Sequence, residues 1–124
     1  MELEHARHNM IEQQIRPWDV LDQRVLDLLT KIKREDFVPA VYQSLAFVDM
    51  EIPLGHGEAM WSPKLEARAL QSLAIHAAER VLEVGTGSGY LTALLASLAA
   101  EVVSVEIEPE FKAEAEKRLA AHGL

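Results

Sequence analysis

The chain has 124 residues, no cysteine and a formal net charge of −8, from 12 Lys+Arg against 20 Asp+Glu. It is 49% apolar and 26% charged. That composition is globular rather than disordered, excludes disulfide scaffolds and cysteine-ligated metals, and argues against a nucleic-acid partner, whose phosphates need a basic face.

Taken in chain order, Ala6, Met10, Ile11 and Ile15 fall at helical spacing, and Arg16-Pro17 ends that run. Asp22 is a good cap for a second helix that places Val25, Leu26, Leu28, Leu29 and Ile32 on its apolar face. Phe37-Val38-Pro39 breaks it, and a short helical turn is expected within 41–47. Met50 to Gly57 reads as extended chain followed by a tight turn. Ser62-Pro63 predicts a helix start, with serine as cap and proline at the first helical position, running through Leu65, Ala69, Leu70 and Leu73 to about residue 75.

The second half is patterned more sharply. Arg80–Val84 is expected to be a buried strand closed by glycine, followed by a helix over 90–98 and a second strand over 102–107. Pro109 opens a last helix, with Phe111, Ala115 and Leu119 on one face and Glu114 set four before Arg118; Gly123 marks its stop. Strand, helix, strand, helix with short links implies a parallel βαβ unit. The expected class is α/β: a Rossmann-like doubly wound parallel sheet, incomplete here, preceded by an N-terminal helical segment. Residues 1–78 form that segment and 79–124 the first βαβα unit. The longest uncharged stretch, Val84 to Ala100, carries a glycine turn and falls short of a membrane span. The N-terminus has no basic or apolar leader, so no membrane partner and a cytoplasmic location are expected.

Function concentrates in Glu83-Val84-Gly85-Thr86-Gly87-Ser88-Gly89-Tyr90. A strand that stops in three alternating glycines turns sharply and lets a ligand approach the backbone, beside the free N–H groups of a helix start. Glu106 follows 21 positions after Gly85, at the end of the next strand, where a carboxylate can accept both hydroxyls of a ribose. The plainer alternative is that these glycines only allow close packing and that Glu106 is a solvated strand end. The dinucleotide fingerprint G-x-G-x-x-G is not met, because Tyr90 and Thr92 stand where its third glycine would be. Glu83 suits a ligand with an ammonium group better than a pyrophosphate. S-adenosylmethionine, with an ammonium, a sulfonium, a ribose and no phosphate, is therefore favoured as the cofactor.

Val81 to Tyr90 resembles motif I of class I methyltransferases in the form used by protein-L-isoaspartate O-methyltransferases. Arg34-Glu35-Asp36-Phe37-Val38-Pro39 is similar to that family's P-R-E-x-F-V-P, with Lys33 in place of its proline, and Ile52 to Gly57 is similar to its P-I-G-x-G turn. The resemblance implies that Glu83, Gly85, Thr86, Gly87 and Gly89 form the cofactor loop, that Glu106 holds the ribose, and that Ile107 lies against the adenine. It implies methylation of the carboxylate of L-isoaspartyl residues in protein or peptide substrates. Two alternatives stand beside that activity: a same-fold methyltransferase with another acceptor, and a non-catalytic cofactor-binding module. The family run G-Q-T-I-S-x-P is here Gly57-Glu58-Ala59-Met60-Trp61-Ser62-Pro63, so its threonine and serine become Ala59 and Trp61. Ser62, one place late, is the candidate catalytic hydroxyl, though a helix cap explains it better.

No metal site is expected: His5 and His8 are three apart without a third ligand. His56 is either a polar contact near the cofactor or a solvated loop residue, and Trp18 and Trp61 are expected as packing anchors. Two strands are fewer than the about four to six of a usual sheet. The chain therefore reads as the N-terminal portion of a methyltransferase, expected either to be catalytically weak or dead as it stands, or to dimerise through the open sheet edge.

Overall fold

The structure, a computed structural model, describes residues 2–124. Its elements run α1 (Leu3–Met10), a π-helical turn (Ile11–Ile15), a 3₁₀ turn (Arg16–Trp18), α2 (Gln23–Lys31), 3₁₀ turns at Arg34–Phe37 and Ala40–Leu45, β1 (Ile52–Gly55), β2 (Glu58–Met60), α3 (Pro63–Leu73), β3 (Arg80–Val84), α4 (Tyr90–Leu98), β4 (Glu101–Val105) and α5 (Pro109–Ala121). Among the described residues, no helix is long and apolar enough to cross a membrane.

Asp22 caps α2 as the sequence predicts, its carboxylate accepting from the Arg24 N–H at 2.9 Å, and Val25, Leu26, Leu28 and Leu29 are buried beneath it. Helix α3 is fastened to the loop before α2 by its own polar side chains. Gln71 accepts from the N–H groups of Leu21 and Asp22 at 2.8 and 2.9 Å and donates to the Asp19 carbonyl, while Arg68 donates to that of Trp18. The buried face of α3 is Pro63, Glu66, Ala67 and Leu70, whereas Leu65 and Leu73 face outward. Ser62 takes the extended conformation of a cap, but its hydroxyl makes no capping bond.

Strands β1 and β2 form an antiparallel hairpin around His56-Gly57, and β3 and β4 pair in parallel from Arg80↔Glu101 to Val84↔Val105, with α4 as the crossover. The expectation that the first strand is buried is corrected. Only one face of the parallel pair, carrying Val81, Glu83, Val102 and Ser104, turns toward the helices; Leu82 and Val84 are 66% and 79% exposed. A parallel sheet normally has both faces covered, and here the described residues supply a layer on one side only. The hydrophobic core joins residues of both segments, from Met10, Ile15 and Phe37 to Tyr90, Leu94 and Leu95. Segments 1–78 and 79–124 are thus held around one core.

Gly89 starts α4 with φ +90°, and a Cβ added there would meet the Cβ of Ala115 on α5 at 3.1 Å. Close approach of α4 and α5 requires it. Gly89→Ala is expected to destabilise the fold by about 1–3 kcal/mol, from left-handed strain plus the clash, as read from the urea midpoint. Gly85 has a similar φ of +96° but open space around it, so the same substitution there carries the strain alone.

Candidate active site

A cavity of about 630 Å³ opens where the β1–β2 hairpin, the start of α3, the β3–α4 loop and the β4–α5 link converge. It falls in the size range of small-molecule sites. It brings together Glu83, Gly85, Thr86, Gly87, Glu106 and Ile107 from the predicted set. Gly89 and Ser62 are not part of its wall; Gly89 serves the packing of α5, and Ser62 sits at the backbone start of α3. Trp61, expected as a packing anchor, instead borders the cavity and is 45% exposed, while Trp18 is half-exposed under Lys64, whose Nζ lies 4.3 Å from the ring centre.

The loop closes on itself. The Gly85 and Thr86 N–H groups both donate to the Val105 carbonyl, at 2.8 and 3.3 Å, and that of Gly89 donates to the Thr86 carbonyl at 3.0 Å. The Gly87 N–H donates to Glu106 Oε1 at 2.8 Å, and the Glu108 N–H to Oε2 at 3.0 Å. The sequence led us to expect free amides at the helix start; four amides of the turn are engaged and that of Tyr90 donates to the Ser88 hydroxyl, while those of Ser88, Leu91 and Thr92 have no partner among the described residues. The carboxylate of Glu106 is fixed by one backbone donor on each oxygen and keeps a further acceptor direction on both.

Glu83 is oriented from the sheet side. Its Oε1 accepts from the hydroxyls of Thr92 and Ser104, the latter at 2.7 Å, and Ser104 is also bonded to the Thr86 hydroxyl. Burial pushes the Glu83 carboxyl above the ordinary carboxylate range, against the pull of those two hydroxyls, with the Glu106 charge adding to the rise. A cationic group would relieve both effects. The cavity wall also carries Glu58, Glu66 and Glu108, with His56 as its single basic side chain and no lysine or arginine. Such a wall repels a phosphate and attracts a cation.

His56 holds the hairpin tip to the start of α5. Its Nε2 lies 3.1 Å from Glu110 and its Nδ1 3.4 Å from Glu108, and its ring meets Phe111 edge-on. One ligand atom from each of His56, Glu108 and Glu110 falls within 4.8 Å of the others, so this is the group that could take a metal ion. The two ring nitrogens face different carboxylates, which is the geometry of a bridging imidazolium; a metal would have to displace one of those contacts. The hydrogen bond to Glu110, and then the charge of Glu108, raise the His56 pKa above its ordinary value. The bridge is therefore present at low pH and is lost as pH rises through that raised pKa. Glu110→Gln is expected to move the His56 ring-proton titration in NMR back toward lower pH.

Sequence reasoning missed Thr92, Ser104, Glu108 and above all Glu66. For Glu66 a signal existed: it lies beside Ala67 and four before Leu70, an acid on the apolar side of its helix.

Comparison with known proteins gives the family. Residues 5–124 match the family profile described as protein-L-isoaspartate(D-aspartate) O-methyltransferase (PCMT). The chain is 43% identical over 120 residues to protein-L-isoaspartate O-methyltransferase 2 of Anaeromyxobacter sp. (strain Fw109-5), a match that covers 97% of this chain and 49% of that protein. It is 44% identical over 118 residues to the protein-L-isoaspartate O-methyltransferase of Methanoculleus marisnigri, covering 95% of this chain and 54% of the relative. The chain thus spans about half the length of the curated relatives it matches. Among solved structures, one named protein-L-isoaspartate O-methyltransferase superposes with a TM-score of 0.79 at 24% identity, covering 95% of this chain and 39% of its own. A Plasmodium falciparum chain, named a beta-aspartate methyltransferase and crystallised with S-adenosyl-L-homocysteine, superposes with a TM-score of 0.76 at 17% identity, covering 98% of this chain and 56% of its own. These two likenesses carry the fold: an incomplete Rossmann-like α/β arrangement. With its glycine loop, its strand-end glutamate and a family match over nearly its whole length, the chain belongs to the protein-L-isoaspartate(D-aspartate) O-methyltransferase family.

Proposed function

We propose that this chain carries the cofactor site of an S-adenosylmethionine-dependent methyltransferase that methylates the carboxylate of L-isoaspartyl residues in proteins. The observation that carries the reading is the acidic cavity beneath a glycine loop four of whose amides are already engaged. That donor set suits a ligand with cationic and hydroxyl groups and no phosphate. Glu106 would accept the ribose hydroxyls, Glu83 the ammonium, and Ile107, 98% exposed at the rim, would cover the adenine. Gly85 and Gly87, both at positive φ, let a ligand lie against bare backbone.

Bound, S-adenosylmethionine supplies an electrophilic methyl group on a positively charged sulfur. An isoaspartyl carboxylate is ionised at neutral pH, with a model value near 4, so the protein needs no general base. Its task is orientation in a dry site, which can supply roughly 7–11 kcal/mol in favourable cases. A second reading, methyl transfer to a different acceptor, is favoured by Glu58, Ala59 and Trp61 on the wall, none of which welcomes a carboxylate. Calorimetric titration of the chain with S-adenosylhomocysteine, with NAD as control, tests the cofactor reading: binding of the first alone supports it, and binding of NAD instead overturns it. Isoaspartyl peptide against small-molecule acceptors then separates the two readings.

A further inference from the structure

Glu66 borders the cavity and yet is only 4% exposed. Its partner, Arg34, is fully buried, and both of that guanidinium's contacts, at 3.1 and 3.0 Å, fall on the one oxygen Oε1. The same Arg34 holds the main-chain carbonyls of Ala46 and Trp61 and lies over the Tyr90 ring. Glu66 and Trp61 are thereby fixed as a single stiff wall. Among the described residues no donor reaches Glu66 Oε2, which leaves that oxygen for whatever occupies the cavity. The same cavity wall carries Ala59, whose side chain has no polar group, and Met60. A carboxylate acceptor would find no lysine or arginine on this wall, and its one basic side chain, His56, is already held between Glu108 and Glu110, so an acid that carries its proton is the group suited to receive it.

We propose that Glu66, in its protonated form, is the group that receives the acceptor, its Oε2 donating a hydrogen bond to one oxygen of the acceptor carboxylate while the other oxygen stays free to react. This rests on the methyltransferase reading above. Burial, opposed by Arg34, pushes Glu66 up to about 7, so the proton is present through the acid side of neutrality. Arg34 faces Glu66 from the 3₁₀ turn and Tyr90 from α4, while Glu58, Glu83, Glu106, Glu108 and His56 share its cavity. Burial favours retention of the proton, and the arginine favours its loss. An arriving carboxylate adds one more negative charge and raises Glu66 further. The acceptor, with a model value near 4, is the weaker base, so the proton stays on Glu66 and none is transferred.

The test uses this chain saturated with S-adenosylhomocysteine and an isoaspartyl peptide as probe. The peptide should bind at least about tenfold more tightly at pH 6 than at pH 8.5, following the protonated fraction of Glu66. Glu66→Gln, whose amide N–H donates at every pH, should bind it with little pH dependence. The ¹³C resonance of the Glu66 carboxyl, assigned by its loss in that variant, should titrate near neutrality in the wild-type chain and move upward when peptide binds. The pH dependence of peptide binding to the wild-type chain is read without the variant. Peptide binding without pH dependence, a carboxyl resonance indifferent to peptide, or no peptide binding at any pH would each overturn the proposal. Failure of S-adenosylhomocysteine itself to bind would overturn the underlying reading instead.

Discussion

Arg34→Ala is expected to destabilise the fold by about 3–5 kcal/mol, the largest effect of any single substitution considered, and to show as a collapse of the urea midpoint. The side chain is fully buried, and three separate partners depend on it. Alanine would leave the buried Glu66 without its cation, and it would strip the buried Ala46 carbonyl and the part-buried Trp61 carbonyl of a donor, at about 1–3 kcal/mol for a fully buried group. Arg34→Lys should recover only part of the loss, because one ammonium cannot fork to a carboxylate and two carbonyls on different elements. The neighbouring residue sharpens the argument. Glu35 points the other way and takes a bidentate pair from Arg7 on α1, at 2.8 and 2.7 Å. Burial works to raise the Glu35 carboxyl, but the Arg7 hydrogen bonds and charge prevail and hold it below the ordinary range. One 3₁₀ turn thus fastens α1 on one side and α3 on the other.

Glu66 adds a pH dependence whose sign can be worked out. Its folded value of about 7 lies above its ordinary 4.5, so between those limits the folded state binds the extra proton. Stability from this group is complete below the lower value and declines as pH rises toward the upper one, by on the order of 3 kcal/mol. Comparing urea midpoints at pH 5 and pH 8 in wild type and Glu66→Gln isolates it, since every other titrating group is common to both.

Much of the fold was legible because its signals are local. The Asp22 cap, Pro109 at a helix start and the glycine-to-Tyr90 boundary each act within one turn of chain, and the structure places α2, α4 and α5 there. What escaped depends on distance along the chain. Strand β2 has three residues and no alternation of its own; it exists because it pairs with β1. The Glu114–Arg118 spacing suggested an ion pair along α5, but Arg118 donates instead to the Ser88 carbonyl at 3.1 Å, 30 residues away, and Glu114 turns to Lys117. The site shows the same division. Glu83, Gly85, Gly87 and Glu106 were found because a strand-end turn imposes a spacing. Glu66 was not: its place on the apolar side of α3 marked it, but the cation that pairs with it lies 32 residues earlier, a distance no local spacing reports.

Glu106→Ala is expected to weaken S-adenosylhomocysteine binding by roughly 10²–10⁴-fold, on the proposed function. Two hydrogen bonds to a charged acceptor contribute about 1.5–3 kcal/mol each, against about 1.4 kcal/mol per tenfold in affinity. The loss goes beyond the contacts themselves. Gly87 and Glu108 donate to different oxygens of this one carboxylate, so its removal frees the glycine turn on one side and the start of α5 on the other. For the same reason Glu106→Gln is expected to bind nearly as poorly as the alanine variant. An amide has one carbonyl oxygen, and whichever way it turns, its NH₂ confronts one of the two backbone donors. Glu106→Asp keeps two acceptor oxygens but shortens the reach, and should fall between wild type and alanine. Calorimetry on the three variants, with circular dichroism to establish that each is folded, measures the losses, and amide hydrogen exchange distinguishes this from a purely electrostatic role, under which glutamine and alanine would be equally poor but the loop amides would be unaffected. In wild type the Gly87 amide proton should resist hydrogen exchange, and in both neutral variants it should exchange faster.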